Sequence, residues 1–286
     1  MKKSATILSA ALLVFSLLLF SCAKTPERGA DINYRQGFLD ISIEYSGNAQ
    51  EYQARPFNLP ILIHNNLAYD IENVVVSILG FDQHYVELFS ERENIELIEG
   101  KSIFNDGGGK EELLFNGQLG QLLPGASKEE QNYRIYARYN SKIEFTPSIC
   151  VTGQLTGYET FEGGCQFKPE VTFKGQGAPF GVTQLQIIPR QGRGVELRML
   201  IENKGNGNVG SVSLGAAALG GKPISCEFRG ADLQETSLFS FESEQKKVNL
   251  LCTGFLSSEN SYQTTLLVEL FYDYEINVQQ TLMILE

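Results

Sequence analysis

Hydrophobic and polar positions alternate in twos through most of this chain. The clearest stretch is Val195–Leu214. Val195, Leu197, Met199 and Ile201 alternate with Glu196, Arg198, Leu200 and Glu202, as expected for a strand buried on one face. Gly205 and Gly207 then stand among asparagines, residues that suit a turn, and Val212 and Leu214 resume the alternation. The same design occurs earlier. Residues 59–76 align without gaps to residues 197–214, with Leu59/Leu197, Leu62/Leu200, Ile63/Ile201, Asn65/Asn203 and Val74/Val212 identical. A second echo matches Arg138–Ile143 to Phe271–Ile276, each expected as a late strand, a tight turn and a final strand. Two echoes in one order point to two copies of a β module.

Further alternating runs predict strands at Leu39–Tyr45, Ile71–Leu79, Tyr85–Phe89, Leu113–Leu119, Tyr133–Tyr139, Ile143–Val151 and Val182–Ile188. Others follow at Ile224–Phe228, Leu238–Phe241 and Lys247–Thr253, and Thr264–Tyr272 with Ile276–Leu285 reads as a closing hairpin. Only Glu91–Leu97 suggests a helical turn. Many short strands with turn signals between them predict an all-β chain built of sandwiches. Lys174–Pro179, with two glycines and a proline, reads as the linker between modules. The expected division is 1–23, a signal peptide or membrane anchor; 24–36, a polar tether; 37–173, the first sandwich; 174–179, the linker; and 180–286, the second sandwich.

The N-terminus changes where the molecule is expected to work. Lys2 and Lys3 precede Ala5–Ser21, seventeen residues without a charge, the pattern of an export signal. As a helix this run spans about 25 Å, against about 30 Å for the hydrocarbon core of a bilayer. Leu19-Phe20-Ser21-Cys22 resembles a bacterial-type lipobox that would place a lipid on Cys22, although Phe20 stands where a small residue is usual. Ordinary cleavage near Ala23 and an uncleaved membrane anchor are the other two readings. All three put the rest of the chain outside, in the orientation that the two lysines favour.

Past Ala23 the chain carries 21 basic and 34 acidic residues, net −13. That balance argues against nucleic acid, whose phosphates require a basic surface. With 42% hydrophobic residues, a packed core is expected. Cys150, Cys165, Cys226 and Cys252 are four cysteines in an exported chain, which points to disulfides. Of three pairings, Cys150–Cys165 and Cys226–Cys252 keep each bridge within one module. Their spacings lack the close pairs that zinc sites favour.

Little else suggests chemistry. His64 and His84 are the two histidines, and Asp82 can pair with His84, but no serine or cysteine stands in a nucleophile context. Asp70, Glu72, Asp82 and Asp106 lie in or beside loops where exported sandwiches can hold calcium, without EF-hand spacing; solvated loop acids are the default. Gly205-x-Gly207-x-x-Gly210 formally matches a dinucleotide fingerprint but lies between two strands. No catalytic residue, metal or cofactor is therefore assigned. Tyr133, Tyr136, Tyr139, Tyr272 and Tyr274 lie near the module ends, either as a binding face or packed at sheet edges.

The paired motif, an apolar strand, an asparagine, a turn and a Val-rich strand, resembles CARDB-type immunoglobulin-like domains of exported prokaryotic surface proteins. LPILIHNNLAYDIENVVVSI and LRMLIENKGNGNVGSVSL carry it, and the layout is similar to that of archaeal exported proteins. The resemblance implies two tandem immunoglobulin-like sandwiches at a cell surface and supplies no catalytic residue. The expected activity is non-enzymatic: adhesion, scaffolding or envelope assembly, with the membrane and surface proteins as partners. A ligand- or carbohydrate-binding module is the alternative, ahead of a hydrolase with an unrecognised site.

Overall fold

A computed structural model describes residues 35–153, 164–229, 237–242 and 245–286. The expected signal or anchor, Cys22 and nearly all of the tether lie outside the described residues. Strands and loops make up the fold, apart from short 3-10 turns such as Gln191–Arg193. The strands are β1 (Ser42–Tyr45), β2 (Gln50–Tyr52), β3 (Pro56–His64), β4 (Ile71–Leu79), β5 (Val86–Leu88), β6 (Arg92–Ile98), β7 (Lys110–Leu119), β8 (Lys128–Phe145) and β9 (Ser148–Val151). The later half has β10 (Glu170–Thr172), β11 (Phe180–Arg190), β12 (Gly194–Asn203), β13 (Asn208–Leu219), β14 (Lys222–Pro223), β15 (Ser225–Arg229), β16 (Leu238–Ser240), β17 (Lys247–Phe255) and β18 (Tyr262–Leu285). The period-2 pattern is what folds them. In β3, Phe57, Leu59, Ile61 and Ile63 are buried, as are Val195, Leu197, Met199 and Ile201 in β12.

The repeat is visible in the pairing. One sheet runs β1-β3-β7-β5, and another runs β10-β11-β12-β17-β15. The third sheet, shared by both halves, is nine-stranded, with the main path β14-β13-β18-β8-β4-β6, β16 on β13 and both β2 and β9 on β18. The antiparallel pairings β1·β3, β3·β7, β7·β5, β4·β8 and β4·β6 recur in chain order as β11·β12, β12·β17, β17·β15, β13·β18 and β13·β16. Each half is sandwich-like, with an outer sheet of its own and a share of the common sheet.

The halves are not separated at residues 174–179, contrary to the sequence-based division. Tyr34–Glu286 forms one compact unit, and buried residues of both halves belong to one cluster. Gln176, Gly177, Ala178 and Pro179 are buried. Gly177 accepts from Ala68 N (2.7 Å) and donates to Gly37 O (2.9 Å), while the Gln176 amide bonds both ways with Val182. Gly175 serves close approach: a Cβ there would collide with the carbonyl of Gly37.

The two expected turns at Asn140 and Asp273 are also absent. β8 and β18 continue straight through them and pair with each other from Lys128↔Leu285 to Phe145↔Val268. No closing hairpin forms. A three-stranded layer in each half alone would leave β8 and β18 as long bare edges, so mutual pairing satisfies both backbones. Asn140 faces Asp273 in this register, and these are equivalent positions of the second echo. Equivalent residues face each other only at a local two-fold axis, as in an isologous interface. Tyr139 and Tyr274 pair beside it, rings 5.6 Å apart, a contact worth about 1 kcal/mol beyond burial. Glu91–Leu97 likewise forms an edge strand, β6, rather than a helical turn; its charged residues suit an edge.

The identity Asn65/Asn203 has a structural cause. Asn65 Nδ2 donates to the carbonyl of Tyr69 (3.0 Å) and Asn65 Oδ1 accepts from Leu67 N (3.0 Å). Asn203 does the same with Gly207 O (2.8 Å) and Gly205 N (3.1 Å). Both side chains are buried, so each amide supplies backbone partners that water cannot reach. Asp40 holds the second turn from outside, accepting from Asn206 N (3.0 Å) and from the Tyr274 hydroxyl (3.1 Å).

Truncating either amide leaves buried backbone groups without partners. Asn65→Ala and Asn203→Ala are each expected to lower unfolding free energy by about 2–3 kcal/mol. The neighbouring Asn66→Ala should stay within about 0.5 kcal/mol. Urea midpoints at constant slope measure all three, and equal stability of the wild type and N203A contradicts this role.

Candidate functional site

A structured exposed surface lies over the two-fold axis, on the solvent face of the common sheet. Even-numbered residues of β8 and odd-numbered residues of β18 point outward there, because their neighbours Tyr139, Ile143, Tyr272 and Tyr274 occupy the core. The flanking strands each break register at this level: β4 between Glu72 and Val75 against β8, and β13 between Val209 and Val212 against β18. Asn73, inside the first bulge, has φ +52°, a conformation uncommon for a residue with a side chain. Paired bulges re-aim side chains and are frequent near sites.

The bulges place equivalent side chains on the two central residues. Asn73 Nδ2 donates to Asn140 Oδ1 (3.4 Å). At the equivalent position, Ser211 donates to Asp273 Oδ1 from its backbone N (2.9 Å) and from its hydroxyl. Arg138 lies 3.6 Å from the other Asp273 oxygen. Lys142 bridges Glu144 (2.9 Å) and Glu269 (3.2 Å), and its hydrogen bonds to these carboxylates hold its ammonium pKa above the usual lysine range. Between these groups lies a depression of about 220 Å³, whose lining includes Glu72, Asn140, Lys142, Ser213 and Asp273, with Phe271 to one side. Phe271 is 43% exposed. An open aromatic face beside carboxylate, amide, hydroxyl and ammonium groups can stack on and hydrogen-bond a polar ligand.

Asp40 is a half-buried acid tied to this seam through the Tyr274 hydroxyl. Burial pushes its pKa above the usual aspartate value, against hydrogen bonds from Asn206, Tyr274 and Ile41 that favour the charged form. Its oxygens are engaged with these donors, which fits a latch for the 203–208 turn.

Sequence-predicted residues take the following places. Cys150–Cys165 and Cys226–Cys252 form disulfides, with Cα atoms 5.9 and 4.0 Å apart. The second joins directly paired residues of β15 and β17. Each bridge lies within one half, and chain-entropy arguments give each about 3 kcal/mol. His64 points outward as its strand demands and donates from Nε2 to Gly107 O (2.6 Å). His84 and Asp82 meet through the His84 backbone N (2.9 Å), so Asp82 caps a turn instead of orienting an imidazole. Asp70 likewise accepts from Gly100 N (2.7 Å). Among the described residues no group of three or more His, Cys, Asp or Glu is arranged to hold a metal ion. Tyr133, Tyr139, Tyr272 and Tyr274 are at most 3% exposed, so four of the five tyrosines belong to the core instead of a binding face. Gly205–Gly210 is the β12–β13 turn and the start of β13. Sequence reasoning missed Phe271, Asn140, Ser213 and Lys142 as site residues; the only signal for Phe271, Asn140 and Lys142 was the echo around Asn140 and Asp273, and for Ser213 its place in the first aligned block.

Among the described residues no helix is long and apolar enough to cross a membrane. No family model matches the chain, and no curated protein matches it. Among solved structures, the chain is similar to the secreted serine protease VesC from Vibrio cholerae at 8% identity and a TM-score of 0.23, over 79% of this chain and 49% of that one, so it spans about half of VesC. It is also similar to the E. coli chaperone DraB, at 11% identity and a TM-score of 0.21, over 78% of this chain and 95% of that one.

Proposed function

We propose that this chain is a non-enzymatic, membrane-tethered cell-surface protein that acts by contact, in adhesion, scaffolding or envelope assembly. The observation that carries this reading is the pair of disulfides in an all-β unit, since such bonds persist in oxidising compartments outside the cytosol. The uncharged N-terminal run agrees with export and a tether. Each repeat reads as an immunoglobulin-like sandwich, in keeping with the resemblance to CARDB-type domains. The edges β1 and β5 of the first outer sheet, and β10 and β15 of the second, offer backbone for strand addition by partners.

The test is affinity capture of the tagged full chain after crosslinking on intact cells. A defined envelope protein recovered in a fixed ratio is expected, together with loss of the exposed chain when cells are treated with protease. A chain that stays protected from protease, or that recovers no envelope protein and instead responds to a metal or sugar screen with a large thermal shift, contradicts the proposal.

A second reading, a carbohydrate-binding module, is favoured by one feature: the exposed Phe271 ring beside Asn140, Glu72 and Ser213. Phe271→Ala removes the stacking surface from an outward position and should preserve the fold. If this reading holds, binding on a glycan array is expected to fall about tenfold or more, the loss of roughly 1.4 kcal/mol or more. Binding that survives the substitution unchanged rejects the depression as a sugar site.

A further inference from the structure

Ile103 and Phe104 are 70% and 93% exposed, neighbours at the tip of the loop between β6 and β7. Single exposed apolar residues are ordinary; this pair is set apart by the way the backbone presents it. Ser102 N donates to Asn105 O (2.8 Å) and Asn105 N returns to Ser102 O (3.2 Å). The Ser102 hydroxyl accepts from Phe104 N (3.2 Å) and Asn105 N (3.1 Å). The base of the loop is fastened as firmly. Lys101 N donates to Leu67 O (2.7 Å), Gly109 N to Glu99 O (2.8 Å) and Asn65 N to Gly109 O (2.9 Å), and His64 binds Gly107 from the side. Gly108, at φ +76°, lies so close that a Cβ there would collide with the Asn65 carbonyl. The tip is a braced turn that holds two apolar side chains in water.

The place where the described chain begins indicates what covers them. The Arg35 guanidinium sits 5.8 Å from the centre of the Tyr69 ring and 3.7 Å from Glu144. The loop root joins the same turn: Gly100 N donates to Asp70. The chain therefore enters this unit beside the root of the apolar loop. Residues 23–36 number fourteen, a covalent reach of at most about 50 Å.

We propose that Ile103 and Phe104 insert into the lipid surface to which the chain is tethered, giving the body a second point of contact and a fixed orientation. This rests on the membrane-tether reading above. Two side chains bury too little to hold a free protein on a bilayer, where even a single myristoyl chain binds only marginally. A tether makes the contact intramolecular, with an effective concentration on the order of millimolar. Lys101 and Lys110 flank the tip while Asp106, Glu111 and Glu112 outnumber them, which fits a zwitterionic surface better than a strongly anionic one.

The chain contains no tryptophan, so Phe104→Trp provides a single emitter in the full-length protein, reconstituted through its N-terminus into phosphatidylcholine vesicles. Relative to Phe255→Trp, at a site 78% exposed at the end of β17, F104W should emit at shorter wavelength and lose about half its intensity to acyl-brominated lipid, as interfacial burial requires. Water-like, unquenched F104W emission in protein that floats with the vesicles overturns the tip while leaving the tether intact. So does a blue shift that bromine does not quench, which means a protein covers the tip. Protein that fails to float refutes the tether, and the tip with it.

Discussion

Antiparallel pairing of β8 with β18 is the interaction on which the rest of the molecule depends. Eighteen successive residues of β8 find partners there, far more than a typical strand of about five or six. The pairing joins the two halves of the common sheet. Without it each repeat exposes a long row of backbone donors and acceptors, the edge that sheet proteins ordinarily cover. The register is fixed by the inward face, since a slip of one residue would turn Tyr139, Ile143, Tyr272 and Tyr274 outward. The two repeats thus complete each other within one chain, as two subunits do in a symmetric dimer.

That arrangement also produces the depression over the axis. The strands β4 and β13 approach from opposite sides, and each bulges where it meets the central pair. Asn73 and Ser211, equivalent by alignment, then bind Asn140 and Asp273, equivalent by the second echo. The surface is symmetric in placement and asymmetric in chemistry, because asparagine faces aspartate and Phe271 has Arg138 as its counterpart. Other exposed features follow from the same plan: the outer sheets end in edges, and the β6–β7 loop ends in a braced apolar tip.

Much of this was legible in the sequence, for identifiable reasons. β3, β4, β12 and β13 follow from alternation, and the shared Asn65 and Asn203 marked a turn whose buried amides tolerate little else. The cysteine pairing followed from keeping each bridge within one repeat. The fusion was not legible, because asparagine and aspartate favour turns and so suggested breaks at Asn140 and Asp273. The correcting signal was present: apolar residues at 266, 268, 270, 272, 274 and 276 continue the alternation across Asp273 without a gap. Lys174–Pro179 misled in the same way. Glycine and proline mark flexible linkers, but they also mark places where backbones meet closely, and burial distinguishes the two only in the fold. The tyrosines were ambiguous because their hydroxyls suit surfaces while their rings suit a core, and four of the five proved to be core. The depression was illegible since its residues come from four strands brought level by bulges.

A seam of this length makes the halves interdependent, so neither should unfold while the other stays native. Scanning calorimetry of the disulfide-bonded protein measures this directly. The account predicts one transition whose calorimetric and van't Hoff enthalpies agree. Two separable transitions, each with about half the total enthalpy, would contradict it and restore two independent sandwiches.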